Sequence, residues 1–176
     1  MSEGTRFIKV NGTQAKLLSP DAGEMYKPSP DGDVLMFFKM GGDEVEGLFD
    51  YFEIRVAYLG GPPVHIHALQ HEAVHVLEGQ LTVKLGDDLV EANTGEFLHI
   101  PKGVAHTYIN LQEGKIARAV GNLSPGGFNK FMAELSAYQQ KASPPDPKVV
   151  AEISARHKQA FVGPPLAVSM GLRKAR

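Results

Sequence analysis

The sequence predicts an antiparallel all-β sandwich or barrel followed by two α-helices, and three observations predict it. Glycine and proline interrupt the first 125 residues at short intervals. The segments between them are brief, β-branched or aromatic, and often alternate in polarity. After Pro125 the texture changes to apolar residues at helical spacing.

The strand candidates, in order, are VLMFFKM (34–40), LFDYFEIRVAYL (48–59), VHIHAL (64–69), EAVHVLEG (72–79), QLTVKLG (80–86), EFLHIP (96–101), AHTYINL (105–111) and KIARAVGNL (115–123). The turns EGQ, GDD and QEG suit tight hairpins. FNKFMAELSAYQQKA then puts Phe128, Phe131, Met132, Leu135 and Tyr138 on one face of a helix. SPPDP ends it and starts another, with Asp146 as N-cap and Pro147 at the first helical position. This second helix is expected to run to near Gly163. The chain thus divides into a β-barrel unit with N-terminal strands (1–125) and a helical extension packed on it (126–176). GPP occurs at 61–63 and 163–165, but the flanks differ and no repeat is read.

Composition narrows the function classes. At 176 residues the chain is long enough for one well-buried core and short for two. Eighteen basic and 20 acidic side chains nearly cancel, which argues against a nucleic-acid partner. No apolar run approaches membrane-spanning length and the N-terminus lacks a signal-peptide core, so the expected compartment is the cytoplasm. Cysteine is absent. Any metal must therefore be held by nitrogen and oxygen.

The stretch PPVHIHALQHEAVHVLEG (62–79) carries four of the seven histidines in what otherwise reads as buried strand. Residues two apart on a strand share a face, so His65 and His67 can aim at one point inside a barrel. Glu72 follows after a short bend, and His106 lies on a later strand in GEFLHIPKGVAHTYIN. Three imidazoles and one carboxylate make a ligand set for a divalent first-row ion. By alternation, His71 and His75 face away from this site. The corner at Pro101 leaves the facing of His99 open, and His157 reads as helix surface. Extending the alternation inward gives Leu69, Val74, Val76 and Tyr108, with Phe37 or Phe38, Phe52, Ile54 and Phe97 as further lumen candidates. Val74, Val76, Tyr108 and Phe97 are the candidate substrate contacts.

These residues and spacings resemble the cupin superfamily. The first cupin motif is represented by His65, His67, Glu72 and Gly79, the second by Gly95, Pro101, Gly103, His106 and Asn110. One position departs: the opening glycine of the first motif is replaced by Leu59, with Gly60 and Gly61 next to it. Asn110 is read as structural. The tail from SPGGFNKF to VGPPL is similar to the ending of single-domain bacterial cupins related to quercetin dioxygenases.

The resemblance implies a double-stranded β-helix (jelly-roll) barrel, one divalent transition metal (Fe, Ni, Mn, Co or Zn), a small-molecule substrate and a homodimer. It also implies that Glu72 can double as ligand and proton acceptor, hence as a catalytic residue. The function expected on that basis is a metal-dependent dioxygenase acting on an enolisable or phenolic, flavonol-like compound. A non-catalytic small-molecule or metal-binding module and a metal-dependent isomerase stand as alternatives, because one barrel hosts all three. No helix-turn-helix segment accompanies the barrel, which favours an enzyme.

Overall fold

The computed structural model describes residues 4–28, 32–142 and 144–173. Among the described residues there are thirteen strands: β1 (Thr5–Val10), β2 (Thr13–Leu18), β3 (Glu24–Tyr26), β4 (Val34–Met40), β5 (Asp50–Val56), β6 (Pro63–His67), β7 (His71–Glu78), β8 (Gln80–Leu85), β9 (Asp88–Asn93), β10 (Phe97–Ile100), β11 (His106–Ile109), β12 (Ala117–Ser124) and β13 (Gln159–Pro165). The helices are α1 (Phe128–Gln139), α2 (Pro147–Arg156) and the short α3 (Leu166–Ser169).

Two antiparallel sheets form the body, one of six strands in the order β10-β7-β12-β5-β4-β3, the other of five in the order β13-β6-β11-β8-β9. The pleat sends alternate residues to one face. Thus Val34, Met36 and Phe38 on β4, Phe52, Ile54 and Val56 on β5, and Val74 and Val76 on β7 join one core with Leu81 and Val83 of β8. This is the predicted all-β architecture with C-terminal helices. Phe37 has the other parity, and its ring lies under Arg55, 4.5 Å from the guanidinium carbon. It is Phe38, beside Phe52 at 5.2 Å, that points inward.

Helix α1 crosses the open end of the barrel. Phe128, Phe131, Met132 and Leu135 are buried, and the Phe128 ring packs 6.0 Å from Phe52. Its start is fixed from β5: the fully buried Asp50 accepts hydrogen bonds from the amides of Gly127 and Phe128 (both 2.7 Å) through one oxygen and from Gly42 (2.7 Å) through the other. A carboxylate is suited to the positive end of a helix, where backbone N–H groups lack partners. The predicted cap of α2 is present, with the Asp146 side chain accepting from Lys148 N at 2.8 Å.

Three expectations are corrected. Helix α2 stops at Arg156, because Lys158 turns left-handed (φ 58°) and the chain then enters β13, which pairs with β6. The C-terminal segment is therefore not wholly helical; it supplies a strand of the five-stranded sheet. Leu69 is 51% exposed, since β6 ends at His67 and alternation does not extend into the bend. His157 is not plain surface: it caps α2, its Nε2 lies 2.7 Å from Glu134 Oε2, and its ring sits 5.8 Å from Phe131.

Candidate metal centre

Strands β6, β7 and β11 deliver the four predicted ligands to one place inside the barrel. Within the five-stranded sheet His106 pairs with His65 across β11 and β6, while Glu72 reaches over from β7 of the facing sheet. The ligand atoms of His65, His67, Glu72 and His106 all lie within 4.8 Å of one another. Ring centroids of the three imidazoles are 4.3, 5.0 and 5.2 Å apart. His67, Glu72 and His106 are buried; His65 is half-buried.

Each imidazole is oriented through its Nδ1. His65 donates to the Pro63 carbonyl and His106 to the Val104 carbonyl, both at 2.9 Å. His67 donates to Oε1 of Gln159, a buried β13 side chain that in turn donates through Nε2 to Gln70 Oε1 at 3.1 Å. With every Nδ1–H engaged by a carbonyl oxygen, Nε2 is the ring atom left to face an ion once His106 gives up the proton it shares with Glu72, an arrangement common around metal-bound histidines. The Glu72 Oε2 atom lies 2.9 Å from His106 Nε2 and 3.3 Å from His67 Nε2.

These contacts set the protonation states. Burial alone would push the Glu72 carboxyl up, but hydrogen bonds and charge from His106 and His67 override it and hold it well below the usual range. Burial opposes a charge on His106, yet the hydrogen bond and charge of Glu72 raise it. His65 is pushed well down by burial, then by its imidazole neighbours. One carboxylate and three imidazole nitrogens fit a divalent transition ion, and four protein ligands leave room in a five- or six-coordinate shell.

The cluster lines a narrow cavity of about 40 Å³ whose other walls include Met36, Phe52, Ile54, Val74, Tyr108, Phe128, Phe131, Met132, Leu135 and Phe161. Burial raises the Tyr108 phenol far above its ordinary value, with Glu72 and Asp33 adding to the effect, so it stays protonated. Val74 and Tyr108 line this cavity. Val76 points inward but is sunk in the hydrophobic core rather than on the cavity wall. Phe97 is displaced outright: it pairs with His75 on the outer face of β7 and is 66% exposed. His71, His75 and His99 are all exposed and outside the cavity.

Gln159 was not legible as a site residue, because its segment carries Gly163, Pro164 and Pro165 and reads as the end of a helix. Proline is tolerated on an edge strand, and β13 is one. The departure at Leu59 is absorbed locally. Leu59 itself adopts the left-handed conformation a glycine would take (φ 59°), held by its N–H to Asn110 O at 2.8 Å. Asn110 is structural as read, its amide donating to the carbonyls of Val56 (2.9 Å) and Lys115 (2.8 Å). Gly61 is needed for close approach, since a Cβ there would lie 1.9 Å from the Tyr108 carbonyl oxygen.

Fold and cluster together define a small double-stranded β-helix protein with a three-histidine, one-glutamate cage in its barrel. Residues 52–120 match the family described as "Cupin domain". A curated relative, quercetin 2,3-dioxygenase of Bacillus subtilis, is 31% identical over 87 residues, 49% of this chain and 25% of that protein. The chain therefore spans about a quarter of that relative's length. Among solved structures, an RmlC-like cupin from Shewanella frigidimarina superposes with a TM-score of 0.52 at 14% identity, covering 64% of this chain and 92% of the other. KdgF from Halomonas sp. gives 0.51 at 11% identity, covering 61% and 90%. At these identities the likeness concerns the fold. No helix among the described residues is long and apolar enough to cross a membrane.

Proposed function

We propose that this protein is a metal-dependent dioxygenase for a phenolic or enolisable, flavonol-like small molecule. The observation that carries the reading is the juxtaposition of a polar ligand cage with an otherwise apolar, aromatic-rich cavity. A molecule matching that cavity is mostly hydrophobic and bears one chelating oxygen edge. Bound at His65, His67, Glu72 and His106, a divalent ion of iron, nickel, manganese, cobalt or zinc would supply Lewis acidity and, for a redox-active metal, a route for electrons to dioxygen. The single carboxylate leaves that ion a formal positive charge, which favours an anionic oxygen ligand in a site of low dielectric.

The chain's own residues do the rest. Phe52, Phe128 and Phe131 cover the rings of such a substrate and exclude water, a role for which α1 closes the barrel mouth. Tyr108, protonated and without a hydrogen bond to any described residue, can donate to a substrate oxygen. Glu72, kept ionised by its imidazole neighbours, is the group placed to accept a proton from an incoming enol or phenol. The curated relative's name supports the substrate class.

We also read the chain as a homodimer. On one face of the β1–β2 ribbon Ile8, Val10 and Leu17 are exposed, and a free two-stranded ribbon is marginal in water. Sedimentation giving a monomer at micromolar concentration would refute this.

The function is tested by loading the protein with Fe²⁺, Ni²⁺, Mn²⁺ or Co²⁺, adding quercetin without oxygen, and then admitting oxygen. A shifted flavonol absorption followed by oxygen uptake is expected. Tyr108→Phe should keep the metal and weaken the flavonol by about 3- to 10-fold, the value of one hydrogen bond. A shift without uptake would make the protein a binding module, and the absence of both responses would overturn the reading.

A further inference from the structure

The outer face of β7 and β10 carries a second group of imidazoles that the cavity does not use. Their register pairs His75 with Phe97 and Ala73 with His99, so His71, His75 and His99 all lie on the face opposite Glu72 and Val74. His71 Nδ1 is 3.2 Å from His99 Nε2, with the rings 11° from parallel. Both side chains are exposed, and neither makes another hydrogen bond among the described residues. β10 is an edge strand of its sheet, so the pair opens directly to solvent.

Two ring nitrogens at this separation are spaced to hold one ion between them. With metal–nitrogen bonds of about 2.05 Å, a separation of 3.2 Å corresponds to an angle of about 100° at the ion, near the tetrahedral value. Imidazole pairs select copper, nickel and zinc over magnesium or calcium. We propose that His71 and His99 form a second metal site, on the outside of the barrel, for a borderline divalent ion of the copper, nickel or zinc class. Water completes the ion's shell. Lacking a carboxylate, this site binds more weakly than the interior cage and fills after it. It is separate from the cage although His71 and Glu72 are neighbours in sequence, because the strand turns them to opposite faces.

The test is a titration of metal-free protein with Cu²⁺, followed by equilibrium dialysis and electron paramagnetic resonance. Wild type should take up two equivalents, the second weaker and with nitrogen hyperfine coupling. His71→Ala and His99→Ala should each take up one, and His75→Ala, altering an imidazole on the same face, should still take up two. All three positions are exposed, so folding is not at stake; unchanged thermal melts check this. Equal uptake by wild type and His99→Ala would overturn the proposal, whatever the interior cage takes up.

Discussion

Glu72 on β7 and Asp50 on β5 are two buried carboxylates of one sheet, both in register with Leu123 of the strand between them, yet they are satisfied in opposite ways. Asp50 accepts from three backbone amides, Gly42, Gly127 and Phe128, and none of its partners can lose a proton. Glu72 accepts from His106 and lies near His67, imidazoles whose Nε2 atoms can serve an ion instead. An acid surrounded by peptide N–H groups is a structural clamp; an acid surrounded by imidazoles is an exchangeable ligand. Burial does not separate the two roles, and the identity of the donors does.

The largest way to break this comparison is Asp50→Ala. It leaves two or three inward-facing amides without an acceptor, at about 1–3 kcal/mol each with partial rehydration, so a loss of about 3–5 kcal/mol is expected in denaturant unfolding. Metal stoichiometry of the protein that remains folded should be unchanged. Glu72→Gln should do the reverse: modest change in the stability of the metal-free form, but at least about a 100-fold loss of metal affinity, read by competition with a chelator. If both variants lose stability and metal equally, the distinction fails.

A smaller effect sharpens it. Gln159→Leu removes the acceptor that holds His67 Nδ1–H without touching any ligand atom. Metal affinity should drop about 10- to 100-fold while His65 and His106, anchored to backbone carbonyls, keep their orientation.

The smallest effect is a pH dependence. His106 is raised by Glu72, so its contribution to metal-free stability is fully present below the unfolded value of about 6.5 and disappears as pH rises through the folded value. Glu72 is lowered, so its contribution is present above about 4.3 and is lost only in stronger acid. The stability gap between metal-free wild type and Glu72→Gln should therefore be widest between about pH 4.3 and 6.5 and narrow in alkali. Metal affinity runs the other way, rising with pH, because binding expels the proton between Glu72 and His106. Thermal melts across pH check both slopes.

Much of this was readable beforehand, for a physical reason. Strand β7 alternates exposed His71 and His75 with buried Glu72, Val74 and Val76, so its inward face is written in residue type, and the two-residue spacing of His65 and His67 puts both on one face of β6. Strand β9 has only Ala92 buried, leaving DLVEAN without an apolar pattern to read. The β1–β2 ribbon buries almost nothing and was missed for the same reason. Phe97 and Leu69 were misplaced because parity was carried across a corner and past a strand end. That α1 would lay Phe128 5.3 Å from His67 depends on a contact between distant segments, to which periodicity is blind.

The position of β13 has a consequence for biosynthesis. Its Gln159 grips His67, and its backbone flanks β6, yet it lies some 90 residues downstream of both. A polypeptide still emerging from the ribosome holds three histidines and a glutamate well before it holds the strand that steadies them. The arrangement that steadies His67 therefore cannot close until translation has passed residue 159.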